Sequence, residues 1–423
     1  MFVTPRSAIL LALGIPLGIA GWHWPVGFLA ITVAACGADW LLAGNPRLLT
    51  VTRPDVTMRL GTSASSVLVI RNEDTRIRRG IVRNGWPPSV AVTDPVVEFR
   101  LGPGADIRHV STIEPSRRGT LAGGPVTVRT CGPLGLAGRQ HETHAETTLR
   151  ILPEFQSRRF LPSRLTRLRE LTGRSLLLVS GEGTEFDSLR EYVRGDDVRA
   201  IDWRSTARRG ETLVRTWRPE RDRRIISVID CGRSAASRIG SAPRIDSSID
   251  TALLLAALSQ KAGDRLHVLA HDSAQRVRID PGDTMFGVAA RLGDLTPSLT
   301  QTDWVAVAAA VRSISPSKAL VVISTGLDSG VIPGGLLEAI PLMNRHTLLI
   351  AVSSDPTLEQ MTRVDGTVHS AYEAAAAHRT LLEEKALAEH LRRLGARVVI
   401  APPDRLPAAV ADAYLDLKEA GRL

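Results

Sequence analysis

The chain has 423 residues, of which 43% are apolar, 4% aromatic and 23% charged, with a formal net charge of +9. That length accommodates two to three domains, and the charge fraction excludes wholesale disorder. Three cysteines, Cys36, Cys131 and Cys231, are too few and too scattered for a disulfide scaffold or a thiolate zinc site. The basic excess is almost all arginine, because lysine occurs only at Lys261, Lys318, Lys385 and Lys418. Such a balance points to an anionic partner, nucleic acid or a membrane surface, or to a codon bias toward Arg.

Between Ala8 and Ala43 the only residues of charged type are His23 and Asp39. One straight helix of that length would be about 54 Å long, against a bilayer core of about 30 Å. Two short spans fit instead, about Ala8 to Gly21 and Val26 to Ala43, divided by Gly21-Trp22-His23-Trp24-Pro25. Gly and Pro make the turn, and the two Trp suit an interfacial belt. Arg6 before the first span, and Arg47 and Arg53 after the second, place both ends in the cytoplasm by the positive-inside rule. Asp39 is expected near the inner end, within reach of water. Residues 1–46 are thus read as a transmembrane hairpin in the cytoplasmic (inner) membrane, contacting lipid. Two alternatives compete with it. A cleaved secretory signal usually has a shorter apolar core. Val33-Ala34-Ala35-Cys36 resembles a lipobox, which would put the remainder outside the membrane.

Residues 47–155 are rich in Val, Thr, Gly and Pro. Short apolar runs recur at Leu48–Thr52, Ser66–Ile70, Val90–Val92, Val96–Leu101, Val126–Thr130 and Leu149–Leu152, separated by turn signals such as Gly102-Pro103-Gly104. The spacing predicts an antiparallel β-sandwich with a role in interaction or support. His141 and His144 lie three apart, but a solvated polar loop explains a lone His-x-x-His better than a metal pair does.

Residues 156–224 open as a basic linker carrying Arg158, Arg159, Arg164, Arg167, Arg169 and Arg174, a candidate for contact with anionic lipid. Beyond it, Arg190, Arg194, Arg199, Arg204 and Arg208 alternate with Glu185, Glu191, Asp196, Asp197 and Asp202. A phosphate-binding stripe would lack the acids. Guanidinium groups facing carboxylates suggest bidentate pairs that fix a folded loop, so no nucleic-acid partner is expected. Gly195-Asp196-Asp197 is a turn signal, and Tyr192 and Trp203 are expected to anchor the loop against the next domain.

The run Glu185-Phe186, Leu189-Arg190-Glu191-Tyr192, Gly195-Asp196-Asp197, Arg199, Ile201-Asp202-Trp203 and Ala207-Arg208 resembles the signature of the domain-of-unknown-function 58 family of bacterial proteins. Arg117-Arg118-Gly119 resembles that family's Arg-Gly element. Pro133-Leu134-Gly135-Leu136 resembles its Asp-Pro-Phe-Gly-Leu element, with Gly132 where Asp is usual and Leu134 for Phe. The resemblance implies an integral membrane protein with a cytoplasmic von Willebrand factor A-like domain, often encoded beside a MoxR-type AAA+ ATPase. It supplies no activity.

From residue 225 to 423 the pattern alternates strand and helix, which implies a parallel sheet covered on both faces. Strands are expected at Ile225–Asp230, Leu266–Ala270, Ala319–Ser324, Thr347–Val352 and Arg397–Ile400. Helices are expected at Ser247–Ala262, Phe286–Leu292, Trp304–Ile314, Gly335–Met343, Ala371–Leu394 and Leu406–Ala420. The fold class is therefore a transmembrane hairpin, a β-sandwich and an α/β, Rossmann-like domain. In the resembled A domains, Asp-x-Ser-x-Ser, a distal Thr and a later Asp hold Mg²⁺. Asp230, Ser234 and Thr302 match, while Gly232 replaces the first Ser and Thr325 stands where the later Asp is expected, with Asp328 nearby. The competing reading is a vestigial site in which these groups satisfy loop hydrogen bonds.

There is no Gly-x-x-x-x-Gly-Lys-Ser/Thr loop for ATP, and no catalytic set is complete. The leading expectation is a non-enzymatic, membrane-anchored interaction protein that partners a MoxR-type ATPase in assembly or maturation of other complexes. The alternatives are a Mg²⁺-dependent adhesion or sensing module and an enzyme using the Arg/Asp-rich junction on an anionic substrate.

Overall fold

The computed structural model describes residues 1–178, 185–193, 196–218, 223–327 and 335–423. The chain divides into two compact units, Met1–Glu154 and Phe155–Leu423.

The first unit opens with a short strand, β1 (Phe2–Val3), helix α1 (Pro5–Leu13), a 3-10 turn (Ile15–Ala20) and helix α2 (His23–Leu42). The apolar stretch His23–Leu48, 26 residues with mean hydropathy 1.8, is long and apolar enough to cross a membrane. Twenty helical residues span about 30 Å, the thickness of a hydrocarbon core. The expected first span does not form one helix. Pro16 has no N–H to donate and biases Ile15 away from helix, so the segment breaks into α1 and the 3-10 turn. Gly14 lets α1 approach α2 closely, because an added Cβ would fall 2.5 Å from the Phe28 ring. The break near Gly21 is as expected; its φ of 127° favours glycine.

The rest of this unit is strand. In order these are β2 (Leu49–Thr52), β3 (Val56–Arg59), β4 (Ala64–Asn72), β5 (Arg78–Asn84), β6 (Val90–Thr93), β7 (Val96–Leu101), β8 (Asp106–Pro115), β9 (Gly119–Ala122), β10 (Val126–Cys131), β11 (Ala137–Thr143) and β12 (Thr148–Leu152). They form sheets ordered β1-β11-β10-β5-β7, β2-β4-β8-β6 and β3-β12-β9. Pairing is antiparallel except between β3 and β12, which run parallel and qualify the all-antiparallel expectation. Period-two burial places Leu68 and Ile70 of β4 against Val82 of β5, Phe99 of β7 and Val128 of β10 in one apolar core between two sheets.

Arg53 departs from its expected place as a flanking charge at the membrane. It is buried, donating to Thr147 Oγ1 at 3.1 Å, Asn84 Oδ1 at 2.8 Å and the carbonyls of Gly85 and Gly124 at 2.8 and 3.0 Å. It also lies over the Trp86 ring. Burial lowers its pKa. Arg6 and Arg47 remain as exposed charges flanking the apolar segment.

The second unit begins with a 3-10 turn (Gln156–Phe160) and helix α3 (Leu161–Leu178), so the expected linker is helical. Two of its arginines, Arg164 and Arg167, are engaged with the C-terminal helix α12, described below. A hairpin follows, β13 (Glu185–Glu191) and β14 (Leu213–Arg218), enclosing the short helix α4 (Trp203–Arg209). Then come β15 (Arg224–Asp230), α5 (Arg233–Ala236), a small ladder of β16 (Arg238–Ile239) with β17 (Ala242–Pro243), and α6 (Ile245–Ala262). The chain continues through β18 (Arg265–His271), β19 (Gln275–Ile279), α7 (Met285–Gly293), α8 (Trp304–Ile314), β20 (Leu320–Thr325), α9 (Leu336–Leu342), β21 (Thr347–Ser353), α10 (Pro356–Met361), α11 (Val368–Arg393), β22 (Arg397–Ala401) and α12 (Leu406–Glu419).

Among the described residues the main sheet has the order β19-β18-β15-β20-β21-β22. Its strands are parallel except β19, which pairs antiparallel with β18 at the edge. The near-continuous apolar strands, such as Leu320-Val321-Val322-Ile323, are buried on both faces, as a doubly covered parallel sheet requires. The strand order reverses between β15 and β20, which creates a crevice at their carboxyl ends.

Arg164 on α3 pairs with Asp412 at 2.7 Å, and Arg167 with Asp416 at 2.8 Å and Glu419 at 3.2 Å. These pairs hold α3 to α12 and take both arginines out of the set expected to face anionic lipid.

Candidate functional site

Two places carry the residues singled out by the sequence. The first is the β13–β14 hairpin. Asp196 receives Arg190 bidentately, Nη1 to Oδ2 at 2.7 Å and Nη2 to Oδ1 at 2.6 Å. The same carboxylate accepts the Val193 N–H at 2.9 Å. The Arg190 side chain and that N–H hold Asp196 below the ordinary carboxylate range. Asp197 caps the turn that follows, accepting the Arg199 N–H at 2.9 Å. Asp202 caps α4 through the Ser205 N–H at 3.0 Å and pairs with Arg215 Nε at 2.8 Å. Its pKa is lowered by the Ser205 N–H first and Arg215 second.

Of the arginines and acids singled out in the sequence, Arg190 and Asp196 form the expected bidentate pair, while Asp202 pairs with Arg215, which lay outside that set. Sequence reasoning did not foresee the strands, and it misplaced Trp203. That indole is 68% exposed on α4, so it is not a buried anchor. Val193 and Val198 are each 62% exposed. Arg199 and Arg208 are exposed, and Tyr192 is half-buried. Glu185 and Phe186 pair through their backbones with Arg218 and Trp217. Arg194, Gly195 and Asp328 lie outside the described residues.

The second place is the crevice between β15 and β20. Asp230 ends β15, and its side chain is almost wholly buried, the residue being 2% exposed. Oδ1 accepts the Gly232 N–H at 2.8 Å and the Thr302 hydroxyl at 2.5 Å, and Oδ2 accepts the Thr325 hydroxyl at 2.5 Å. Burial raises its pKa, opposed by the hydrogen bonds from Thr302, Thr325 and Gly232 and by the charge of Arg244. Ser234 Oγ accepts the Gly326 N–H at 3.0 Å and Arg244 Nη1 at 3.2 Å.

The structure thus gathers Asp230, Ser234, Thr302 and Thr325 at one sheet edge. It adds Arg244, which no motif marked. As a Mg²⁺ site the set fits poorly, because a small hard cation needs near-octahedral oxygen donors, usually with carboxylates among them. Here one carboxylate is already held by three donors, and a guanidinium bonds the neighbouring serine oxygen. Among the described residues no group of three or more His, Cys, Asp or Glu side chains is placed to hold a metal. His141 lies on β11 and His144 on the exposed turn after it.

A third cluster escaped sequence reasoning. Asp39, expected to face water, is buried. Its carboxylate accepts the N–H groups of Leu134 at 2.8 Å, Leu136 at 2.7 Å and Ala137 at 2.9 Å. Leu134 and Leu136 belong to the Pro133-Leu134-Gly135-Leu136 element, and Ala137 opens β11. An added Cβ at Gly132 would fall 2.1 Å from Asp39 Oδ1. No local signal could have found the pairing, because its partners lie 95 to 98 residues away.

Comparison with known proteins gives three findings. Uncharacterized proteins of Mycobacterium bovis and Mycobacterium tuberculosis are 31% identical to this chain over 109 residues, which is 26% of this chain and 34% of theirs. The match thus spans about a third of the length of those relatives. Among solved structures, PapD-like domain 7 of human CEP192 aligns with 26% of this chain and 89% of its own, at 13% identity and a TM-score of 0.18. A non-cellulosomal cohesin from Archaeoglobus fulgidus aligns with 25% of this chain and 91% of its own, at 11% identity and a TM-score of 0.17. Residues 188–381, from the signature hairpin into α11, match the family described as "Protein of unknown function DUF58".

Proposed function

We propose that the chain is a membrane-anchored protein-interaction module whose large units face the cytoplasm, with a von Willebrand factor A-like domain in its second unit. Its partner is a MoxR-type AAA+ ATPase, which it assists in assembly or maturation of other complexes. One observation carries the interaction reading. The hairpin spends Asp196 and Asp202 on its own arginines and leaves Trp203, Val193 and Val198 exposed. Exposed Trp beside Arg is the composition of an interaction surface. The same pairing removes the motive for an enzyme acting through these carboxylates, because both are held ionised by structural partners.

A hairpin that crosses the membrane twice is supported by where its ends lie. The chain leaves the β-rich region at β1, whose Phe2 pairs with Gly138 of β11. It returns through Asp39, bound to the turn just before β11. A segment that starts and ends on one folded unit crosses an even number of times. The β1 pairing opposes a cleaved signal or a lipobox, since cleavage would delete that strand.

Affinity purification of the full chain from native membranes tests the reading. Recovery of a MoxR-type ATPase that falls on Trp203→Ala supports it, and repeated recovery without such an ATPase contradicts it.

A further inference from the structure

We infer that Arg244 takes the place of a cation at the carboxyl edge of the main sheet, where a guanidinium of the chain itself binds Ser234, one of the expected metal ligands, and joins the loops after β15 and β20. The inference is independent of the proposed partner. Where the resemblance implies a divalent ion, the residues present build something else.

Arg244 is set by the backbone. Its N–H donates to the Ser237 carbonyl at 2.8 Å, and its own carbonyl accepts the Ser247 hydroxyl at 2.9 Å. From the start of α6 its Nη1 reaches the Ser234 carbonyl at 3.0 Å and the Ser234 hydroxyl at 3.2 Å. Ser234 Oγ also accepts the Gly326 N–H. A hydroxyl oxygen has two acceptor lone pairs. Both are directed at N–H donors here, which leaves none for a metal.

Two glycines fit this arrangement. An added Cβ at Gly326 would fall 1.9 Å from Arg244 Nη1 and 2.3 Å from Ser234 Oγ, so glycine admits the guanidinium. At Gly232, where the resembled motif has Ser, an added Cβ would fall 2.3 Å from Thr302 Oγ1. A serine there would displace the hydroxyl that donates to Asp230. A guanidinium suits the space, being planar, rich in donors and charged at every physiological pH.

The domain is therefore metal-independent, and contacts made at this edge resist chelators. Thermal melts of the full chain in detergent, with EDTA and with millimolar Mg²⁺ or Mn²⁺, test this directly. The expected result is the same Tm in all conditions. A saturable rise of several degrees that Asp230→Asn abolishes overturns the inference. A double-mutant cycle provides the second readout. Arg244→Gln lowers Tm in the natural chain and less in the Ser234→Ala background, because the hydroxyl that accepts from Nη1 is then gone. An equal loss in both backgrounds overturns the inference. If Arg244→Gln does not fold, the metal titration of the natural chain decides alone.

Discussion

The Asp39 carboxylate accepts the Leu136 N–H at 2.7 Å, joining the end of an apolar helix to the turn before β11. With Leu134 and Ala137 it satisfies two amides of that turn and the first of β11. Arg139 strengthens the same joint, donating from Nε to the Trp40 carbonyl at 3.1 Å and lying over the Trp40 ring. The helix is therefore fastened to the β-rich region by a buried acid.

Removing that acid strands its donors. Hydrogen bonds to a charged group contribute about 1.5–3 kcal/mol each, and an orphaned buried donor costs more than a symmetrical deletion. Asp39→Ala is expected to destabilise the first unit by about 3–5 kcal/mol, and Asp39→Asn by about 1–3 kcal/mol. Hydrogen exchange reads the site itself. The Leu134, Leu136 and Ala137 amides should lose protection in both variants, and unchanged protection refutes the joint.

A second buried charge cluster closes the second unit. Lys418 Nζ pairs with Asp264 Oδ2 at 2.6 Å, and the Tyr414 hydroxyl donates to the same oxygen at 2.5 Å. Burial lowers the Lys418 pKa against the opposing pull of Asp264. Burial also raises that of Tyr414, with the Asp264 charge adding to it. Lys418→Met leaves a buried carboxylate without its cation, and the expected cost is about 3–5 kcal/mol. Replacing Asp264 by Asn in the same chain should recover much of it. Chemical denaturation measures both. A loss under about 0.5 kcal/mol for Lys418→Met, the size of an ordinary surface substitution, is inconsistent with the pair.

Acid should loosen the start of α11. Asp365 is pulled down from 3.8 to about 2 by the hydroxyls of Ser370 and Thr367 and by the Thr367 N–H. Its folded pKa lies below its unfolded value. The contribution is therefore complete above about pH 4 and disappears as pH falls through about 2. Amide protection in the first turn of α11 should decline across that window, and Asp365→Asn should remove the dependence. A decline that persists in the variant assigns it to another group.

Local rules made much of the fold legible. Trp304–Ile314 reads as a helix from its apolar spacing, and the structure begins it at that residue, where Asp303 caps it through the Ala306 N–H at 2.9 Å. β7 and β20 likewise announce themselves as apolar runs. What stayed hidden is non-local. β5 shows exposed Arg residues between its buried positions and looks like a polar loop until its buried Gly80, Val82 and Asn84 are known. α3 looks like a basic linker because its acids lie on α12, Asp412 being 248 positions from Arg164. The crevice was half legible. Asp230, Ser234 and Thr302 were marked by the resemblance to A domains, but Arg244 was not, because a lone Arg before a helix carries no signal until the fold brings it to Ser234.

The central claim is that this is an interaction module held at the membrane, with the exposed face of its signature hairpin as the contact. Co-purification from native membranes in the presence of EDTA, comparing the natural chain with Trp203→Ala, measures it most directly. The account predicts a MoxR-type AAA+ ATPase recovered with the natural chain despite the chelator and largely lost with the variant. Absence of any such ATPase from both preparations, while the chain itself is intact and membrane-bound, would contradict it.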